Sequence, residues 1–235
     1  MKIIQLGPNL IQLTRYPAVF PMNCYVVAED DGLTLVDSTM SSPAEDVATI
    51  VKQLGKPLRR VALTHAHGDH AGGVAGLRQR FPGVEVSISE RDAVILAGDK
   101  TLRPTEPQTP VKGYFVKVDW KPDRLLKPGD RVGSLEVIAS PGHTPGHVAL
   151  LDVRNRGLIA GDAYQIRGGI AVSGVVRPLF PFPAMATWNK PAALASATAL
   201  LKLGPSILAI GHGNALKEPA ASMEEAIEAA RRAFG

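Results

Sequence analysis

The sequence predicts an α/β (α+β) chain in which two αβ halves pack sheet against sheet with helices on the outside. Three observations predict it. Strand-like alternation followed by helical periodicity occurs twice along the 235 residues. The stretch 99–113, with Pro104, Pro107, Pro110 and Gly113, lies between the two runs as a loop and a candidate seam. A composition of 45% hydrophobic and 20% charged residues, with no low-complexity segment, suits one domain over 1–235 with pseudo-halves of about 1–110 and 111–235.

In the first half, strands are expected over Lys2–Leu6, Ile11–Thr14, Asn23–Ala28 and Leu33–Val36, with Asp30-Asp31-Gly32 turning the last two into a hairpin. A helix then starts with Ser42 as N-cap, Pro43 at the first helical position and Glu45 completing a capping box. Val47, Ile50, Val51 and Leu54 follow at helical spacing. A strand over Arg60–Leu63 runs into a histidine cluster, and a second helix is expected from about Gly73 to Phe81. Val84–Ile88 reads as a strand, and Ser89 with Asp92 caps a third helix carrying Val94 and Ile95. In the second half, strands are expected over Tyr114–Val118, Arg131–Ala139, His147–Val153 and Gly157–Gly161, with the turn Asn155-Arg156-Gly157 before the last. Helices over Ala192–Leu203 and Pro219–Phe234 flank a buried strand at Ile207–Ile210.

Composition narrows the function classes. The net charge is +4, but Lys and Arg are scattered and not interleaved with aromatics, so nucleic-acid binding is not implied. The single cysteine, Cys24, excludes a disulfide framework and reads as a buried structural thiol. Met1–Thr14 lacks the apolar core and small-residue cleavage site of a signal peptide. No stretch approaches the ~18 apolar residues of a membrane span. The expectation is a cytoplasmic protein with no membrane attachment.

All six histidines fall in three short clusters. Thr64-His65-Ala66-His67-Gly68-Asp69-His70 holds three, Pro141-Gly142-His143-Thr144-Pro145-Gly146-His147 two, and Gly211-His212-Gly213 the last. Each follows an apolar strand-like run, as does Gly161-Asp162 after Leu158–Ala160. Four polar clusters at four strand ends can converge on one edge of a sheet sandwich. Imidazole and carboxylate suit zinc, iron and manganese. His65 and His67, two apart on extended backbone, point to one side. Asp69 and His70 open the next helix, where the turning chain aims them into the same pocket. Glycines 68, 72 and 73 permit close backbone approach. This cluster cannot fill two coordination shells alone, so His143, Asp162 and His212 complete a set of seven. A lone His-x-His is usually incidental; it is the joint pattern that carries the signal.

Thr64 to His70 matches the HxHxDH motif, and the chain resembles the metallo-β-lactamase-fold superfamily over most of its length. Asn23-Cys24-Tyr25 and Leu35-Val36-Asp37 resemble the family's opening strands, and His143, Gly161-Asp162 and Gly211-His212 its later metal motifs. The resemblance implies a four-layer αββα sandwich with a dinuclear site, two zinc ions per chain, iron or manganese also suiting the set. It gives one metal His65, His67 and His143, the other Asp69, His70 and His212, with Asp162 bridging. Asp37 is either the family's carboxylate that orients a ligand or a turn carboxylate. His147, in a segment similar to glyoxalase II and lactonase sequences, is expected outside the ligand set.

The chemistry expected of such a site is hydrolysis. A hydroxide held between two metals attacks the acyl carbon of a small lactone, ester or thioester. Asp69 is a candidate to take up or deliver a proton while ligated. Asp162 argues against a true β-lactamase, since class B enzymes lack that bridging residue. Only 23 residues follow His212, which weakens a glutathione-binding reading. A hydroxyacylglutathione hydrolase-like thioesterase and a mononuclear iron sulfur dioxygenase remain as alternatives. The segment Tyr164–Pro191 is the candidate substrate loop, with Phe180, Phe182, Met185 and Trp188 either lining the site or packing the fold or a homodimer interface. Tyr164 and Arg167 are its candidate contacts to a small-molecule acyl substrate.

Overall fold

The computed structural model describes residues 1–235. Seven strands form the first sheet in sequence order: β1 (Lys2–Gly7), β2 (Leu10–Arg15), β3 (Met22–Ala28), β4 (Leu33–Val36), β5 (Leu58–Ala62), β6 (Glu85–Ser89) and β7 (Arg124–Leu126). The first four pair antiparallel, and β4 to β7 run parallel. Helices α1 (Ala44–Leu54), α2 (Gly68–Ala71), α3 (Val74–Arg80) and α4 (Glu90–Leu96) punctuate these parallel crossovers.

The second sheet holds β8 (Arg131–Val132), β9 (Leu135–Ala139), β10 (Val148–Asp152), β11 (Gly157–Ile159), β14 (Ile207–Ala209) and β15 (Leu216–Lys217), in the order β15-β14-β11-β10-β9-β8. A two-stranded ribbon, β12 (Tyr164–Gln165) and β13 (Ala171–Val172), stands apart. Helices α5 (Phe182–Ala186), α6 (Lys190–Lys202) and α7 (Ala220–Phe234) complete the chain. No helix is long and apolar enough to cross a membrane.

Period-two alternation sorts the strands' side chains into three cores, and the cores define the layers. Cys24 and Val26 of β3 join Val47, Ile50, Leu77 and Ile95 in the core beneath α1, α3 and α4. Their neighbours Tyr25 and Val27 face the other way, into an inter-sheet core with Val137, Val148, Leu150 and Ile159. On β10, Ala149 and Leu151 reverse face again, against Ala197 and Leu200 of α6 and Met223 and Ile227 of α7. The result is the αββα sandwich. Cys24 is fully buried in it, as expected, and burial pushes its thiol far above the ordinary range.

Four expectations need correcting. Tyr114–Val118 forms no strand. Its backbone serves the histidine loop instead, the Tyr114 carbonyl accepting from Gly68 N at 2.8 Å. The first sheet takes in β7, three residues too short to show periodicity, so the chain changes sheets between Leu126 and Arg131 and not at about 110. Arg131–Ala139 is two strands, folded back on each other at Gly133-Ser134. The capping box of α1 does not form: Ser42 Oγ accepts from Ala44 N at 3.2 Å, while Glu45 pairs with Arg80 at 3.2 Å.

Candidate metal centre

Strand direction explains why distant residues meet. The C-terminal ends of β4, β5, β9, β11 and β14 and the N-terminal ends of β3 and β10 lie at one edge of the sandwich. Asp37 follows β4, the His65–His70 segment follows β5, His143 lies between β9 and β10, and Asp162 and His212 follow β11 and β14. The seven expected ligand residues therefore come together, and six of them are buried to 3% exposure or less, with the Asp69 side chain at 17%.

They form two donor groups. His65 Nε2, His67 Nδ1 and His143 Nε2 converge, with 3.1 Å and 3.0 Å separating the first and last from His67 Nδ1. Asp69, His70 and His212 form the second group, with Asp69 Oδ2 3.4 Å from His212 Nε2. Asp162 sits between them. Its Oδ2 is 3.3 Å from His143 Nε2 and 3.1 Å from His212 Nε2, and its Oδ1 is 3.3 Å from His70 Nε2.

The outer nitrogen of each ring has an acceptor, which turns the inner nitrogen toward the centre. His70 Nδ1–H donates to Asp37 Oδ2 at 2.8 Å, and His212 Nδ1–H to the Pro21 carbonyl at 2.7 Å. His67 Nε2–H donates to the Lys112 carbonyl at 2.8 Å, and His143 Nδ1–H to Ser173 Oγ at 2.9 Å. His65 Nδ1–H donates to Thr64 Oγ1 at 3.0 Å, whose hydroxyl donates on to Asp37. Five inward-facing imidazole nitrogens around a carboxylate could hold a cation. His70 Nε2 and Asp162 Oδ1, both buried, have no hydrogen-bond partner in the protein, as metal-facing atoms should.

The electrostatics divide the rings into two kinds. Burial, reinforced by neighbouring imidazoles, holds His65 well below the ordinary histidine range; burial does the same to His143 against the pull of Asp162. Both rings are neutral at pH 7. Burial opposes charge on His70 and His212, but Asp37, Asp162 and Asp69 outweigh it at His70 and Asp162 and Asp69 at His212, so both pKa values are raised and these two rings hold protons that a bound cation would displace. Asp162 is held ionised: His212 and His70 outweigh the cost of burying it.

Supporting residues carry much of the geometry. Asp37 orients His70 and accepts from Thr64 N at 2.8 Å, so of the two readings the orienting carboxylate is the one realised, at a left-handed φ of 61°. His147 lies outside both donor groups. Its Nε2 accepts from Asp162 N at 3.1 Å and its Nδ1 pairs with Ser140 Oγ at 2.8 Å, with burial pushing its pKa down to about 3. Sequence reasoning missed Asp92. Fully buried, it accepts from Ala66 N, Thr144 Oγ1 and Gly146 N at 2.9, 2.6 and 2.7 Å, tying the two histidine loops together. Its place in a capping pattern concealed this. Asn23 and Tyr25 were noticed only as a resemblance; they clamp Ile210 and Gly213, the residues flanking His212's turn. A Cβ on Gly211 would lie 2.0 Å from Asp162 Oδ1, and one on Gly113 2.1 Å from His67 Nε2, so both positions exclude any larger residue.

Two substrate contacts expected from the sequence are not at the centre. The Tyr164 hydroxyl donates to the Ala197 carbonyl at 2.8 Å, inside the core under α6. Adjacency to Asp162 placed it near in sequence, but strand alternation turns it inward. The Arg167 guanidinium donates to the carbonyls of Pro17, at 3.2 Å, and Ala18, away from the donor groups. A cavity of about 350 Å³ opens over the donor groups, lined by Asp69, His67 and His212 and by Phe20, Phe182 and Met185 among its apolar residues. Of the expected loop residues, Phe182 and Met185 reach it, whereas Trp188 is buried and donates to the Thr109 carbonyl at 2.7 Å.

Comparison with known proteins agrees with this geometry. The family model of the metallo-beta-lactamase superfamily matches residues 18–212. The chain is 52% identical over 222 residues to the uncharacterized protein YobT of Bacillus subtilis (strain 168), covering 94% of this chain and 95% of that one. It is 29% identical over 207 residues to the probable metallo-hydrolase YflN of the same organism, covering 79% and 77%. A solved metallo-beta-lactamase from Pontibacter korlensis superposes with a TM-score of 0.74 over 98% of both chains at 18% identity, a likeness of fold.

Proposed function

This chain belongs to the metallo-β-lactamase superfamily, and on that premise we propose that it is a dinuclear metal-dependent hydrolase of a small lactone, ester or thioester. The observation that carries the reading is the position of Asp162, whose two oxygens lie within 3.3 Å of His70, His143 and His212 and so serve both donor groups. His65, His67 and His143 would hold one metal, Asp69, His70 and His212 the other, with zinc the ion best suited to the set. When bound, the pair supplies a Lewis acid for the acyl oxygen and lowers the pKa of water to about 7.

The chain's own residues do the rest. Asp37, Pro21, Lys112, Ser173 and Thr64 lock the ring tautomers, so the donor set needs no rearrangement. Asp69 is the more open of the two carboxylates, at 17% side-chain exposure against 2% for Asp162, and is the group placed to accept a proton from water and return it to the leaving group. In the overall step a water oxygen bonds to the acyl carbon, the carbon–oxygen or carbon–sulfur bond breaks, and the leaving alkoxide or thiolate takes the proton.

The test is metal analysis of protein from unsupplemented cells together with a hydrolysis panel of lactones, aryl esters and thioesters. Two zinc ions per chain and hydrolysis abolished by His67→Ala support the reading. One iron per chain with oxygen uptake on a persulfide would overturn it.

A further inference from the structure

The cavity walls differ sharply from its floor. The floor is imidazole and carboxylate; the walls include Phe20, Met40, Tyr114, Phe182, Pro183 and Met185, and no lysine or arginine lines any part of it. Three of the chain's six phenylalanines gather on one side. The rings of Phe20, Phe180 and Phe182 lie 5.0, 5.2 and 5.4 Å from one another, in edge-on and tilted contacts. Phe20 and Phe180 in turn pack on the His212 ring at 5.3 and 5.2 Å. The apolar wall therefore begins at a ligand imidazole, directly beside the place where an acyl carbon would sit. Phe180 is buried behind it, while Phe182 and Met185 stand 52% and 68% exposed at the mouth.

Arg167, the cation nearest in sequence to Asp162, does not reach into the cavity. Its two bonds to the Pro17 and Ala18 carbonyls fix the loop that carries Phe20. A volume of about 350 Å³ is at the small end for ligand pockets, which run from roughly 300 to 1,000 Å³.

Resting on the hydrolase reading above, we propose that this cavity selects neutral acyl substrates bearing an apolar chain or ring. By the same chemistry it discriminates against conjugates whose leaving group carries carboxylates, such as glutathione thioesters. Phe20, Phe182 and Met185 are the selecting residues, and Arg167 is a positioning residue that acts through Phe20. With the floor metals engaged by the acyl group, a carboxylate on the leaving group would face walls of aromatic and apolar residues with no lysine or arginine, and would lose its hydration without a partner. A methylene laid on the wall gains about three- to fourfold in binding.

The test uses the zinc-loaded protein and straight-chain acyl thioesters of two to ten carbons on a neutral thiol, with one glutathione thioester of matched acyl group. kcat/KM is expected to rise about three- to fourfold per methylene over the first several carbons, mainly through KM. The neutral thioester should exceed its glutathione counterpart by tenfold or more. Phe20→Ala and Phe182→Ala should flatten the chain-length slope, and Arg167→Gln should flatten it with zinc content unchanged. A flat slope, or preference for the glutathione thioester, overturns the proposal while leaving the hydrolase reading intact. If no acyl compound is turned over, the hydrolase reading falls and the wall is still tested, by calorimetric titration with straight-chain carboxylic acids of four to ten carbons. Affinity that climbs with length and is lost in Phe182→Ala supports the wall; affinity independent of length overturns it.

Discussion

At the scale of single residues, the centre depends on groups that never face the cavity. Asp92→Ala would strip acceptors from two buried amides and the Thr144 hydroxyl at once. Each unsatisfied group costs about 1–3 kcal/mol and the costs do not simply add, so a loss of about 3 kcal/mol or more is expected in urea titration. Zinc affinity should fall roughly 10–100-fold; unchanged affinity in a zinc titration would show that the two loops hold themselves. His147 sets a pH dependence. Its folded pKa of about 3 lies below the ordinary 6.5, because burial disfavours the charged ring. The unfolded chain therefore binds the extra proton between these values. Its contribution is fully present above about pH 6.5 and is lost as the pH falls toward 3, on the order of 4–5 kcal/mol in all. Unfolding of metal-free protein measured across that range should show the fall, and His147→Gln should reduce it. Four of the seven candidate ligands were legible because residues 65, 67, 69 and 70 fall within one six-residue stretch, and His143, Asp162 and His212 because each follows an apolar strand-like run. Asp92, Phe20 and Lys112 were not, because what they do is defined by partners far away in the chain.

At the scale of elements, periodicity identified the strands that alternate cleanly and the long helices, and it failed where backbone bonds go to a loop. The segment Tyr114–Val118 looks like a strand because it is a short run rich in aromatic and β-branched residues, and Phe115 and Val118, three apart, both pack on the first core, a spacing that period-two alternation does not give. The Tyr114 carbonyl is committed to Gly68 N and, just before the segment, the Lys112 carbonyl to His67, so the stretch serves the histidine loop and joins no ladder. The start of α6 was expected at Ala192 and lies at Lys190, with Asn189 as N-cap accepting from Ala192 N at 2.9 Å. The cap has a second duty: the amides of Trp188 and Asn189 bond the carbonyls of His143 and Gly142 at 3.0 and 2.9 Å. Asn189→Ala should cost about 1 kcal/mol in chemical denaturation. It should also weaken metal binding at the His143 group more than at the His70 group, which a competitive zinc titration can resolve.

At the scale of the whole molecule, the donor groups draw on turns from both sheets, while three cores behind them hold the layers together. Removing metal should therefore loosen the site edge and leave the inter-sheet core folded. A metal held at a thousandfold over its dissociation constant contributes about 4 kcal/mol. Two such sites should raise the midpoint of thermal unfolding by more than about 10 °C in a chain of this size. Calorimetry with chelator and then with added zinc checks this, and a midpoint insensitive to chelator would contradict it. The turn before β3 gives the fold one more property. It offers the Pro21 carbonyl to His212 and, one residue earlier, the Phe20 ring to the cavity wall. Anything that steadies this turn from one side steadies it from the other, so a bound metal and an apolar ligand would be cooperative partners. Such coupling is reciprocal: whatever factor zinc adds to the affinity for a long-chain acid, the acid must return to zinc.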